Sequence, residues 1–209
     1  MSLFLGKIHY WLYNKIVSFE LIEKEIIEWA IHKGLNIEEF NKKLRHEYGA
    51  PLDDRPLEEI IDTSNIHGWL QDKISKAEIR QAALVTKILE FDQQNKGDLL
   101  EIYKEQGTLA AQKYKQNNPN TPEIIYNILN DTILEGMPCD QVSEVVKSSN
   151  NEFVWNTTMC LHKPYWDKVG GDINTFHELR EAWIKNFISA LNPEFSYEKN
   201  NNSHRIVKY

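Results

Sequence analysis

The run VSEVVKSSNNEFVWNTTMCLH, from Val142 to His162, decides the fold. Upstream of it apolar residues recur every three or four positions, whereas within it they alternate, so the period changes from that of a helix to that of a strand. Val142–Ser148 reads as one strand, Ser149-Asn150-Asn151 as a turn, and Glu152–His162 as a long second strand. Successive side chains of a strand point to opposite faces. Phe153, Trp155, Thr157, Met159 and Leu161 make one face, largely apolar, that should pack on helices. Val154, Asn156, Thr158, Cys160 and His162 make the other.

Downstream, Pro164 and Gly170-Gly171 bound a loop, and Thr175-Phe176-His177-Glu178 is a capping box. The helix it opens carries Leu179, Trp183, Phe187, Ile188 and Leu191 on one stripe and stops at Asn192-Pro193. Glu194–Lys199 and Ser203–Tyr209 then read as strands joined by Asn200-Asn201-Asn202. Upstream, helical spacing covers Leu3–Lys33, Asn36 to Tyr48 and Leu57–Asp62. A further helix runs from the capping box Ser75-Lys76-Ala77-Glu78 to Gln93, another spans Asp98–Gln116, and Thr121-Pro122-Glu123 opens a last one. Asn117-Asn118-Pro119-Asn120 is the candidate linker. The expectation is an α+β protein, with a helical region over 1–118 and an α+β ligand-binding or catalytic region over 119–209 forming one compact unit. Its sheet should have four antiparallel strands, in the order strand, strand, helix, strand, strand.

At 209 residues, 41% hydrophobic and 26% charged, the chain buries a core without needing disulfides or metal to fold. Its 24 Lys+Arg against 31 Asp+Glu leave a net charge of −7, which argues against a nucleic-acid partner, since that would require a basic face. Isoleucine, asparagine and lysine number 22, 19 and 19, the bias of a low-GC genome, while only five arginines are present to clamp a carboxylate or phosphate. No apolar run approaches the roughly 20 residues that cross a bilayer. The N-terminus lacks a basic start and a small-residue cleavage site, and Cys139 and Cys160 make no disulfide framework. The expectation is a cytoplasmic protein with no membrane partner.

Cys160 and His162 stand two apart on one predicted strand face, about 7 Å along it. A thiolate nucleophile or soft ligand at Cys160, with the His162 imidazole as base or co-ligand, is one reading, with Asn156 and Thr158 on the same wall and Tyr165 and Trp166 as an aromatic rim. The other is a small buried cysteine and a strand-end histidine. Zinc requires three or four ligands, and His204, His177, Cys139 and Asp140 lack diagnostic spacing, so neither metal nor cofactor is assigned. Arg180 is a candidate holder of a substrate carboxylate, or a surface partner of Glu178 or Glu181. His67 reads as a residue facing a cleft, or one capping or tying two helices, and Asp131 with Glu135 as a solvated acid pair. The phosphate-binding glycine loop, HExxH, ExxH pairs and GxSxG are missing from the sequence.

From Pro138 onward, about 70 residues resemble the L-2-amino-thiazoline-4-carboxylic acid hydrolase-like family and are similar to vinyl-reductase-type small-ligand domains. The likeness is carried by Phe153-Val154-Trp155-Asn156-Thr157-Thr158-Met159-Cys160, then Leu161-His162-Lys163-Pro164-Tyr165-Trp166. Asn192-Pro193-Glu194-Phe195-Ser196-Tyr197-Glu198 and a last strand with His204 complete it. The family pattern places a glycine and a second cysteine in the last strand, where this chain has Asn202-Ser203-His204-Arg205. The resemblance implies a small-molecule hydrolase acting on a C–N or C–S bond through Cys160, with His162 and His204 beside it. An alternative is a non-catalytic ligand-binding or sensor protein, for which six Trp, nine Tyr and eight Phe supply aromatic wall. A third is a structural role, with the Leu3–Lys33 helix as a homodimer interface.

Overall fold

A computed structural model describes residues 5–209. In chain order its principal elements are α1 (Lys7–His32), α2 (Glu38–Tyr48), α3 (Leu57–Ile60), α4 (Ile66–Phe91), α5 (Asn95–Gln112), α6 (Pro122–Thr132), β1 (Ser143–Ser148), β2 (Glu152–Thr157), α7 (Lys163–Lys168), α8 (Ile173–Leu191), β3 (Phe195–Asn200) and β4 (Ser203–Lys208). The chain is thus α+β, with a four-stranded antiparallel sheet in the order β1-β2-β4-β3. No helix among the described residues is long and apolar enough to cross a membrane. Leu3 and Phe4, which the sequence assigns to the first helix, lie outside the described residues.

Two units divide the chain, and the division differs from the expected boundary at 118/119 within one compact unit. The first unit takes the chain up to Gln93 together with His162–Asp172; the second takes Gln94–Leu161 and Ile173–Tyr209. In the first, α1, α2 and α7 pack on α4. α1 buries Leu12, Ile16 and Ile26, and α4, which packs on it, buries Leu70, Ile74, Leu84 and Ile88, because both helices repeat apolar residues at three and four. Arg80 of α4 is fully buried there. Its Nε lies 3.0 and 3.2 Å from the two carboxylate oxygens of Glu23, Nη2 lies 2.5 Å from Glu20 and Nη1 3.2 Å from the Gly49 carbonyl.

The expected helix start at Ser75 is corrected. α4 begins nine residues earlier, where the Asn65 side chain accepts from the amide of Gly68 at 3.1 Å. Ser75 and Glu78 sit inside the helix and reach α7 instead: Ser75 Oγ is 3.0 Å from Tyr165 Oη, and Glu78 Oε1 is 2.9 Å from His162 Nδ1. A serine and a glutamate three apart lie on one helix face wherever they fall in it, so the same spacing serves a cap or a tertiary contact.

In the second unit, α5 lies along α8, and α6 and α8 cover one face of the sheet. Phe153, Trp155, Phe195, Tyr197 and Ile206 are buried from the sheet side, Leu179, Phe187 and Ile188 from α8. Thr121 caps α6 by accepting from the Ile124 amide, and Pro122 occupies its first turn, as expected. Gly107, which weakens α5 as an isolated helix, lies against the backbone of α8. A Cβ there would stand 3.1 Å from the carbonyl carbon of Trp183 and 3.3 Å from the amide nitrogen of Phe187. α8 starts at Ile173, so Thr175 is a buried helical residue and not the cap the sequence suggests.

Candidate functional site

The strand that was to carry the cysteine and histidine is shorter than expected. β2 pairs with β1 and β4 from Glu152 to Thr157, and the amide of Thr158 makes the last link, to the Val142 carbonyl. Beyond it the chain leaves the ladder, and Met159, assigned to the apolar face, is 51% exposed. Cys160 and His162 therefore do not project from one strand face. Cys160 is half-buried in the second unit, and His162 caps α7 in the first.

His162 is 3% exposed and its Nδ1 is held to Glu78, itself 2% exposed. Tyr165 bonds Ser75, and Trp166 is one of the largest fully buried side chains of the chain. These three residues fasten α7 to α4 in the first unit, where the sequence suggested a catalytic base and an aromatic rim. Lys163-Pro164 opens that short helix, proline being tolerated in a first turn whose amides lack intrahelical partners.

In the second unit the sulfur finds a different imidazole. Cys160 Sγ is 3.9 Å from His177 Nε2 on α8. His177, Arg180 and Glu181 stand at i, i+3 and i+4, on one face of that helix. The charges of all three act on His204 of β4, and those of Arg180 and Glu181 on Tyr197 of β3. His204 has both ring nitrogens engaged: Nδ1 lies 2.6 Å from Tyr197 Oη and Nε2 2.9 Å from Thr157 Oγ1. Its ring stacks on Trp155, centroids 5.1 Å apart and planes 12° from parallel. Burial pushes the imidazole down to about 4, helped by the positive charges of Lys199 and Arg180, while burial raises the Tyr197 phenol. A ring so held is a neutral strut, with no free nitrogen to exchange protons with a ligand.

Arg180 is also committed. Nη1 donates to the Leu134 carbonyl at 3.0 Å and Nη2 pairs with Glu135. Glu178 pairs with Lys96 at 2.5 Å. Asn156 is half-buried opposite Glu144 and Ser203 in the sheet, and Thr158 is exposed, its hydroxyl 3.4 Å from the Gln141 carbonyl. Among the described residues no group of three or more His, Cys, Asp or Glu side chains is arranged to hold a metal ion.

A cleft of about 680 Å³ lies in the first unit, along α1 and between it and the connector after α2. Tyr13, Val17, Leu21, Lys24 and Glu28 succeed one another along α1 at steps of three and four, and form one wall with Ile27. Pro51, Leu52, Asp53, Asp54 and Arg55 form the other, with Arg45 from α2. Glu20 and Glu23 join the lining, and both are held by Arg80. Desolvation raises the Glu23 carboxyl above its ordinary value against the pull of Arg80. Glu20 also accepts from the Leu52 amide at 2.9 Å, which ties the connector to α1. The Tyr13 phenol is raised, first by burial and then by the charges of Asp53, Glu20 and Asp54. Sequence reasoning missed this wall because α1 carries two apolar stripes. Leu12, Ile16, Phe19, Ile22 and Ile26 are buried, whereas Tyr13, Val17 and Ile27 are half-buried and Leu21 is 42% exposed. The second stripe was the available signal.

No protein-family model matches the chain, and neither a curated protein nor a solved structure matches it.

Proposed function

We propose that the chain is a small-ligand-binding protein and that the cleft along α1 is its ligand seat. The observation that supports this is the volume of about 680 Å³ with a mixed lining. It falls inside the range of about 300–1,000 Å³ common to small-molecule sites, where apolar wall supplies affinity and a few charged groups set orientation. The test is equilibrium binding of an amphiphilic anionic fluorescent dye, anilinonaphthalene sulfonate, to the full chain and to Leu21→Asp, with Leu21→Asn as the variant that adds no charge. A dye that binds the native chain and loses at least about tenfold in affinity on both variants supports the seat, since one buried apolar side chain contributes roughly 1.5–3 kcal/mol. Equal binding to the native chain and to Leu21→Asn refutes it.

One observation favours a second reading, the hydrolase that the C-terminal third resembles. Cys160 and His177 stand at the 3.9 Å of a thiol–imidazole contact, so the base in such an enzyme would be His177 in place of His162. Iodoacetamide alkylation of Cys160 tests it. Slowing by an order of magnitude in His177→Gln supports an activated thiol, and an unchanged rate removes the role.

A further inference from the structure

β1 lies at one edge of the sheet, and among the described residues no strand pairs with its outer side. All of its residues are exposed, Val145 at 52% and Val146 at 58%. Its sequence, Ser-Glu-Val-Val-Lys-Ser, is complementary to its own reverse. Laid antiparallel against a second copy, Ser143 meets Ser148, Glu144 meets Lys147 and Val145 meets Val146, and each pair occurs twice.

The backbone is phased for that register. Along an antiparallel ladder, pairs that exchange hydrogen bonds alternate with pairs that do not. The Thr158 amide bonds the Val142 carbonyl at one end of β1, and the Ser149 amide bonds the Glu152 carbonyl at the other. Counting inwards from both ends, Glu144 opposite Asn156 and Lys147 opposite Val154 turn their backbone groups towards β2. Ser143 opposite Thr157 and Ser148 opposite Phe153 turn theirs outwards. In a regular strand residues five apart point their backbone groups opposite ways. The bulge between Val145 and Lys147 absorbs one residue and brings Ser143 and Ser148 into phase. It also sets Glu144 and Lys147 on one face of the sheet, the face of Asn156 and Val154, although they are three apart. Lysines and bulges commonly guard an edge against foreign strands. Here Glu144 answers the lysine, and the bulge matches the strand to one with the same bulge.

We propose that β1 is a homodimer seam, at which two copies of this chain join edge to edge about a two-fold axis beside Val145 and Val146 and make one continuous antiparallel sheet. Ser143 and Ser148 of opposite copies exchange backbone hydrogen bonds. Glu144 faces Lys147 of the other copy across a non-hydrogen-bonded pair, where Cα atoms stand about 4.5 Å apart. Lys147 also pairs with Glu152 of its own chain, so each lysine lies between two carboxylates. A seam this short makes a weak, concentration-dependent dimer. The strand belongs to the second unit, and the proposal is independent of the cleft.

The experiment is sedimentation equilibrium of the full chain from about 1 μM to 1 mM. The native chain is expected to pass reversibly from monomer to dimer within that range. Glu144→Lys and Lys147→Glu each set like charges opposite one another at both ends of the seam, and each should weaken self-association at least about tenfold. Mixed in equal amounts, the two variants again present opposite charges across the seam and should associate at least as tightly as the native chain. Circular dichroism checks that both variants fold. In the native chain, exchange of the Ser143 and Ser148 amides should slow as concentration rises, while the Glu144 and Lys147 amides, already turned to β2, keep their rates. A chain that is monomeric throughout overturns the proposal, as does a dimer indifferent to either substitution or a mixture that stays monomeric. Exchange of Ser143 and Ser148 that ignores concentration overturns it too, and needs no variant to fold.

Discussion

Gly107→Ala sets two well-measured effects against each other. In an exposed helix the substitution stabilises by about 1 kcal/mol, because alanine loses less backbone entropy. At position 107 the new methyl would meet backbone of α8, 3.1 Å from the Trp183 carbonyl carbon and 3.3 Å from the Phe187 nitrogen, with the Trp183 oxygen nearer still. Backbone in the middle of a 19-residue helix cannot turn aside as a side chain can. α5 and α8 must therefore part by on the order of 1 Å, and overpacking of this kind costs about 1–3 kcal/mol before the lost dispersion along the rest of the contact is counted. The expected net result is a loss of roughly 1–2 kcal/mol. Gly97 supplies the internal control: it lies in the first turn of the same helix with nothing within 4 Å of a Cβ, so Gly97→Ala should stabilise by up to about 1 kcal/mol. Urea unfolding followed by circular dichroism reads both variants. The reasoning fails if Gly107→Ala is as stable as the native chain, or if the two variants shift in the same direction.

His162→Ala leaves the Glu78 carboxylate buried without its imidazole partner and should cost about 3 kcal/mol, measured by the same denaturation; a change under about 0.5 kcal/mol would contradict the anchoring role of this pair. Nitrogen-detected NMR titration should find His204 still neutral at pH 5, with its midpoint near 4. Its folded value lies below the unfolded one, so it contributes stability that is present above the ordinary 6.5 and lost as pH falls towards 4. A midpoint at the ordinary value excludes the strut. Glu23 behaves oppositely. Its folded carboxyl is raised above the usual 4.5, so stability declines as pH climbs from there through the folded value. Glu23→Gln should flatten that part of the urea-midpoint profile, and an unaltered slope would show that the carboxyl does not titrate there.

The α+β order was legible because the physics that decides it is local. Phe153 and Trp155 alternate with half-buried Val154 and Asn156, so the strand announces its inner face, and Pro122 behind Thr121 announces a helix start. What was misread depended on partners far along the chain. Ser75 and Glu78 satisfy each pattern rule for a cap, yet their partners are 90 and 84 residues away. The end of β2 was also hidden, because Thr158 to Leu161 continues the alternation and only the loss of pairing partners stops the strand. Pro164 was a usable clue: it sits in the first turn of α7 and not in a loop. The cleft could not be read from α1 alone, since its opposite wall comes from Pro51–Arg55.

The division of the chain has a consequence for synthesis. The first unit is not contiguous: 68 residues, Gln94–Leu161, separate its main part from the His162–Asp172 stretch that supplies the partner of Glu78 and the indole of Trp166. A ribosome that has released Gln93 has delivered α1, α2 and α4 but not the segment that bonds to and covers the middle of α4. At about 5–20 residues per second, that surface stays open for several seconds to a quarter of a minute. Cotranslational folding of the first unit must wait for residue 172, and a fragment ending at Gln93 should keep a permanent exposed scar along Ser75, Glu78 and their neighbours.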